Sequence, residues 1–455
     1  MPCGRALAQM LYLINDMDKN KTCLIKRKIR KVSETSVDHM SPTVSRQSSV
    51  GLFAWLAWGC GALFYAYQFA LRVSPSVMAS ELMQTLSLDA AGFGLLASFY
   101  YYGYAFFQVP AGSLLDVLGA RRVLLAFVAL CFVGALCFMS PFLWLVYLGR
   151  FLIGIGSAAS FLACIKIATT YFEPRQIALL TGLSVFLGTM GAVGGGAPLA
   201  AGVGLWGWRF VMLILVFMAV GLFVASFIFV KQTPKTQAVA DQPKTSLVQD
   251  LKMLLCKKQT WIIGLYGVLM YVPLATFCDL WGPSCLVAMY GVTTTDAAFL
   301  VSLIYIGLGV GAPLSSMVLG WFKSYRLCFF ASSSLGVTLF LLLLSGWSMP
   351  YYALFALMLA IGLAIAPQVM AFPLITQLNP ERIAGTASGL HNMICMLSGV
   401  VMQPLVGNLL EWRLKAGGVP QKEDFMFSLA VVPVALLLAF VCTFFVSSVR
   451  HETSA

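Results

Sequence analysis

Gly112-Ser113-Leu114-Leu115-Asp116-Val117-Leu118-Gly119-Ala120-Arg121-Arg122-Val123 decides how this chain is read. A lone carboxylate, a glycine and two arginines stand between two long apolar runs. Gly112 lets a neighbouring helix come close. Asp116 can accept hydrogen bonds from a helix N-terminus or from arginines. Gly119 permits a tight turn, and Arg121 and Arg122 hold that turn on the cytoplasmic side of a membrane.

The rest of the chain agrees that the medium is lipid. Of 455 residues, 60% are hydrophobic and only 10% charged, against about 25% charged in a soluble domain. Twelve apolar runs can be counted: 51–78, 90–116, 121–139, 141–172, 175–204, 207–230, 258–290, 294–321, 325–346, 350–378, 382–410 and 425–447. Each is near or above the roughly 20 residues a helix needs to cross hydrocarbon. The runs are too long for barrel strands and do not alternate. The fold class is therefore all-α integral membrane, with twelve transmembrane helices. Pro75, Pro110, Pro198, Pro273, Pro283, Pro313, Pro367 and Pro404 fall in or near spans and predict kinks or tilt.

A net charge of +12 suggests nucleic acid, but its distribution does not. With both termini inside, 22 of the 29 Lys and Arg lie on the cytoplasmic side. Arg209, Arg413, Lys415 and Lys422 lie outside, and Arg72, Arg150 and Lys166 lie within spans. That bias fixes orientation and implies no nucleic-acid partner.

Residues 1–50 are polar, with Lys26-Arg27-Lys28-Ile29-Arg30-Lys31 at their centre, and read as a disordered basic cytoplasmic tail. No small-residue cleavage site marks a signal peptide, and Met40 can serve as an alternative start. The cluster anchors topology or touches anionic lipid. Residues 448–455 form a second cytoplasmic tail. Twelve scattered cysteines read as packing residues, and three histidines (His39, His391, His451) cannot build a metal site, so neither metal nor cofactor is expected.

Segment 231–257 is the longest polar connection and divides the spans six from six, into bundles at 51–230 and 258–447. The halves repeat. Pro174-Arg175 precedes Gly182-Leu183 at the start of span 5, as Pro380-Glu381-Arg382 precedes Gly389-Leu390 in span 11. Spans 1 and 7 each carry one charge before a proline, Arg72 before Pro75 and Asp279 before Pro283. Such six-span repeats are a transporter design, in which two bundles rock about a central site.

The G-x3-D-x2-G-x-R-R pattern resembles the signature loop of the major facilitator superfamily, between its helices 2 and 3. Gly149-Arg150-Phe151-Leu152-Ile153-Gly154-Ile155-Gly156 is similar to that family's Arg-and-Gly motif in span 4. The resemblance runs from residue 51 nearly to the end. It implies two pseudo-symmetric six-helix bundles, with spans 1 and 7 facing each other. The second loop copy, near Ser315–Arg326, keeps Lys323 and Arg326 but has no acid where Asp116 maps. The span 5 glycines read as close helix packing. Asp279-Leu280-Trp281-Gly282-Pro283, with Thr386–Gly389 and Gln403-Pro404, looks like bacterial members of uncertain substrate, and is also similar to lysosomal dipeptide carriers.

An ionisable group inside the bilayer should face water or a partner. Arg72 shares a face with Gln68 and Tyr65, four and seven residues before it, and is either an anion clamp or a snorkelling arginine. Arg150 either binds substrate or bonds to a neighbour's carbonyls. Asp279 is either a proton carrier or the ion-pair partner of Arg72, and the two roles are compatible. Tyr101, Tyr104 and Gln108 follow one face of span 2. Tyr266, Tyr271, Tyr305, Gln368, His391 and Asn392 add polar groups from spans 7, 8, 10 and 11.

The candidate substrate site is therefore Tyr65, Gln68, Arg72, Tyr104, Gln108, Arg150, Tyr271, Asp279, Gln368, His391 and Asn392. The candidate conformational latch is Gly112, Asp116, Gly119, Arg121, Arg122 and Arg382. The expected function is a monomeric secondary transporter of a small polar solute, an organic anion or a zwitterion such as an amino acid or dipeptide. It is driven by protons or by the solute's own gradient. No ATP-binding loop is present. The rivals are a receptor or sensor on a transporter fold and an integral-membrane enzyme, for which no clustered catalytic groups are visible. The absence of acceptor sequons in the short outer loops points to a bacterial inner membrane. Asp250-Leu251-Lys252-Met253-Leu254-Leu255 resembles an acidic dileucine signal.

Overall fold

A computed structural model describes residues 51–231, 247–414, 418 and 420–447. Helix dominates, and no strand occurs among the described residues. Span 1 is Leu52–Val77. A short helix, Ala79–Leu86, comes next and meets span 2, Ala90–Leu118, at a bend of 110°. Span 3 is Ala120–Phe138, and span 4 is Leu143–Ala158 continued by Ser160–Tyr171. Helices Pro174–Gly194 and Ala197–Phe229 carry spans 5 and 6, and the backbone leaves helical geometry at Gly207, φ 77°.

Span 7 is Lys258–Val272, then a π-helical stretch Pro273–Trp281, then Gly282–Tyr290. Span 8 is Thr294–Phe322 and span 9 is Tyr325–Leu344. Span 10 is Tyr351–Ile365, a 3-10 turn Ala366–Met370, and Ala371–Gln377. A turn at Glu381–Ile383 leads into span 11, Ala384–Leu414. Span 12 is Lys422–Ser428 with Val431–Thr443.

Nine described helices are long and apolar enough to cross a membrane, ten if the bent pair is one crossing. The run Arg175–Phe229 has 55 residues, about 80 Å of helix. That is enough for two crossings, and the break at Gly207 divides it. Twelve crossings are consistent with these lengths.

The repeat is visible in detail between spans 2 and 8. They begin at 90 and 294 and end at 118 and 322, a constant separation of 204 residues. Each starts on a side-chain cap: Asp89 accepts from Gly92 N at 2.6 Å and Thr293 from Asp296 N at 3.1 Å. Each closes on a residue with positive φ, Gly119 at 80° and Lys323 at 50°. Glycine takes that conformation without strain; a lysine does not.

One expectation changes. The connection 231–257 is not only a linker, because it contains a helix, Leu247–Leu255. In it Leu254 is fully buried and Asp250 nearly so, while Leu255 is exposed. The proposed tails at 1–50 and 448–455 lie outside the described residues.

The two ends of the helix assembly differ. At the end away from the Gly119 loop, helices of the two halves touch closely. A Cβ on Gly94 of span 2 would lie 2.6 Å from the Gln403 carbonyl oxygen of span 11, and one on Gly407 would meet the Ala90 carbonyl. Toward the Gly119 end, a Cβ on Gly112, Gly182, Gly385 or Gly389 would meet nothing within 4 Å. The two halves are in close contact at the far end.

Candidate functional site

The sealed end is built around one ion pair. Arg72 lies in span 1 and Asp279 in the π-helical stretch of span 7, with Arg72 Nε 3.2 Å from Asp279 Oδ2. Both residues are at most 3% exposed. The Nε contact is an ion-pair approach rather than an aligned hydrogen bond. Other groups supply the alignment. Tyr101 OH donates to Asp279 Oδ2 and Tyr305 OH to Oδ1. Arg72 Nη1 donates to Tyr271 OH at 2.8 Å, and its guanidinium lies 4.2 Å from the Phe69 ring centroid. A buried ion pair is tolerable only when its remaining lone pairs and protons are satisfied, and these four aromatic side chains do much of that.

Local sequence explains the placement. Pro273 and Pro283 bracket Asp279, and each removes a backbone donor from the helix ladder. Between them the chain widens into π-helix, with Gly282 N bonding back to Phe277 O. A π-turn inserts one extra residue and rotates the helix beyond it. Tyr101 and Tyr305 sit 204 residues apart, the same separation as the ends of spans 2 and 8. Equivalent positions in the two halves thus point at one carboxylate.

Arg150 has a different environment. It is 1% exposed and donates from Nη1 to Leu71 O and from Nη2 to Arg72 O, both at 2.7 Å. Its Nε reaches Ala97 O at 3.4 Å, and its guanidinium lies 4.9 Å from the Tyr100 ring. Pro75 explains the first bond: having no N–H, it leaves Leu71 O without its i+4 donor, and Arg150 at 2.7 Å and the Ser74 hydroxyl at 3.0 Å supply donors instead. Of the two readings of Arg150, the geometry matches bonding to a neighbour's carbonyls. Arg150 also fixes the backbone from which Arg72 projects.

The other candidates divide into two groups. Gln68 Oε1 accepts from Tyr100 OH at 2.7 Å, one helical turn from Arg72. Tyr65 packs edge-on to Phe69. Tyr104 reaches the Asn392 side chain of span 11. Gln108 is buried with Oε1 unpartnered. Tyr65, Phe69, Tyr271 and Asn392 are half-buried beside fully buried neighbours, as residues lining an opening between the halves would be. Gln368 is buried in the 3-10 turn of span 10. His391 is buried against Phe372 and Cys395, with Nδ1 unpartnered. Lys166 is half-buried in the loop-end half of span 4.

At the loop end, Gly119 makes the positive-φ turn, and Arg121 donates to Phe227 O at 2.9 Å while stacking on that ring. Arg122 is exposed. The Asp116 side chain lies outside the described residues. Arg382 Nη1 bonds Asp250 Oδ1 at 2.8 Å, so helix Leu247–Leu255 is tied to the start of span 11. Sequence reasoning missed that tie and the shared role of Tyr101 and Tyr305. The signal for the tyrosines was the common register of spans 2 and 8.

Known proteins resemble this chain over most of its length. Residues 55–403 match the family model described as Major Facilitator Superfamily. A gentisate transporter of Corynebacterium glutamicum is 26% identical over 382 residues, covering 79% of this chain and 81% of that one. A lysosomal dipeptide transporter of Danio rerio is 25% identical over 399 residues, covering 81% and 82%. Among solved structures, a bacterial homolog of the human lysosomal transporter Spinster, in an inward-facing and occupied conformation, superposes with a TM-score of 0.67 at 17% identity. It covers 89% of this chain and 100% of that one.

Proposed function

Because this chain belongs to the Major Facilitator Superfamily, and is thus an integral membrane transporter and not an enzyme, we propose that it carries a small organic acid or a zwitterion such as a dipeptide by alternating access. The observation that carries this reading is the buried Arg72–Asp279 pair that joins span 1 to span 7 across the two halves. The halves 51–230 and 258–447 act as two rocking bundles. The Arg72–Asp279 pair with its tyrosines is the far gate, shut here.

The positive-inside bias makes the Gly119 end cytoplasmic, in a bacterial inner membrane. Arg72 is the group a substrate carboxylate would seek, yet in this state it is held by Asp279. Binding therefore exchanges one carboxylate for another at the guanidinium. Protonation of Asp279 makes that exchange easier, because it removes the competing anion. A zwitterion instead places its amine at the ionised Asp279, so that each partner of the pair exchanges for a substrate charge without protonation. Tyr65, Gln68, Tyr104 and Asn392 line the approach, and Arg150 positions Arg72. The similarity to carriers of gentisate, an acid, and of dipeptides supports this substrate class.

Uptake by purified protein in liposomes tests the reading. Labelled aromatic and sugar acids and dipeptides are offered with and without an inward proton gradient. Accumulation of one class, lost in Asp279→Ala, is expected. Transport of neutral sugars alone, indifferent to Arg72→Ala, would overturn it.

A further inference from the structure

Gln403 of span 11 is fully buried against the π-helical stretch that carries Asp279. Its Nε2 donates to Ala275 O at 2.7 Å, and its own carbonyl accepts from Trp281 Nε1 at 3.3 Å. Ala275 and Trp281 lie on either side of Asp279 within Pro273–Trp281. Given that the Arg72–Asp279 pair is the far gate, we propose that Gln403 is a positioning residue. It holds the stretch in its π-helical register and thereby sets the aim of Asp279 at Arg72.

The repeat shows why one half needs such a residue and the other does not. Arg72 stands three residues before Pro75, whereas Asp279 stands four before Pro283. Span 1 is α-helical through its charge, and span 7 is π-helical through its own, which accommodates the extra residue. Spans 5 and 11 are offset by 207 residues, from Gly182-Leu183 to Gly389-Leu390, so Gly196 stands at the place of Gln403. Packing agrees. A Cβ on Gly196 would lie 3.2 Å from the Ala298 carbonyl oxygen of span 8. Gly94, 204 residues before Ala298, meets the Gln403 carbonyl in the same way across the seam. The half with an α-helical span has a glycine at this place, and the half with a π-helical span has the amide.

The amide acts on the backbone rather than filling space. Within hydrocarbon, a break in a helix is tolerated where a neighbouring helix satisfies the backbone groups it disturbs, and Nε2 does this at Ala275. Its orientation is fixed, because a carbonyl only accepts. The amide oxygen is meanwhile buried with no hydrogen-bond partner among the described residues. An orphaned acceptor is costly, so an apolar side chain of similar volume would serve packing better. What the glutamine contributes is the donor.

The full chain in liposomes tests this. Spin labels at Ser87→Cys and Thr294→Cys, exposed at the far end in different halves, read the gate by distance. Gln403→Met keeps the volume and removes the donor. It should enlarge the long-distance population roughly three- to tenfold, as one hydrogen bond is lost, and lower uptake. Its melting temperature should stay within a few degrees of the wild type. Trp281→Phe removes the second tie and should act less strongly in the same direction; it carries the same test if the methionine variant does not insert.

The discriminating measurement is the combination with Asp279→Asn. A residue that acts by aiming the carboxylate adds nothing once that carboxylate is gone, so Gln403→Met should leave the Asp279→Asn distances unchanged. Where Asp279→Asn alone opens the far end, either of two results overturns the positioning role and leaves the gate standing. One is an equal added effect of Gln403→Met with and without Asp279→Asn. The other is wild-type distances in both Gln403→Met and Trp281→Phe. Unchanged distances in Asp279→Asn itself would remove the gate, and the role of Gln403 with it.

Discussion

Asp279→Asn should open the far gate, and its size can be worked from the contacts. In the sealed state Arg72 is 3% exposed and its only carboxylate contact among the described residues is Asp279. The asparagine keeps the volume but removes the charge. Leaving one partner of a buried pair uncompensated costs about 3–5 kcal/mol. In the alternative state the far end is wet and Arg72 is hydrated, so the penalty falls mainly on the sealed state. The equilibrium should therefore move by about a hundredfold to a few thousandfold toward far-end opening, since 1.4 kcal/mol is tenfold.

Removing single tyrosine donors gives a graded series. A hydrogen bond to a charged group contributes about 1.5–3 kcal/mol. Tyr101→Phe and Tyr305→Phe should thus shift the same equilibrium less than Asp279→Asn does. Spin labels at Ser87→Cys and Thr294→Cys report it, because both residues are exposed at the far end and lie in different halves. The wild-type distribution should be short and narrow, with the long-distance population growing from Tyr→Phe to Asp279→Asn. The swap Arg72→Asp with Asp279→Arg should return part of the short population and of transport. Identical distance distributions in all variants, or strictly additive transport losses with no rescue by the swap, would show that the pair holds nothing shut.

Three further outcomes are expected. Gly94→Val should abolish transport without loss of membrane insertion, because its side chain would drive into the Gln403 carbonyl where the halves meet; cysteine accessibility at the far end would report the wedge. Arg150→Met should lower the melting temperature and uptake together, and Pro75→Ala in that background should restore stability in part by returning a backbone donor to Leu71 O; no rescue would mean the carbonyl bond is incidental. Asp116→Asn should cut uptake several-fold at normal expression, and unchanged uptake would remove the latch.

The spans were legible because hydrocarbon leaves a helix no option but about 20 apolar residues in a row. Prolines marked where spans bend, but not what kind of break forms there. Every residue from Val272 to Pro283 is buried, so the π-helical stretch has no exposed face whose period could reveal the extra residue. Helix Leu247–Leu255 could have been found. Leu251, Leu254 and Leu255 recur at helical spacing, but the neighbouring lysines made the segment read as polar. The Arg72–Asp279 pairing was foreseen from matched charges before matched prolines, whereas Arg150 needed coordinates to separate its two readings. What a chain of one sequence hides is which partner a long side chain chooses among several within reach.

The chemistry lies where the two-fold repeat is broken. Tyr101 and Tyr305 obey the repeat and converge on one carboxylate. Arg72 and Asp279 violate it in charge, and only opposite charges at related positions can neutralise each other across the interface of the halves. The loop end is broken in the other direction. Asp116 has a glycine, Gly320, at its counterpart 204 residues on, and Gly119 has a lysine, Lys323, held at φ 50°. If the acid is what fastens this end, one half can fasten and the other cannot. The far end has a buried ion pair with tyrosine donors on its carboxylate, and on that premise the loop end would have a single latch. A molecule built this way should rest sealed at the far end and open at the loop end.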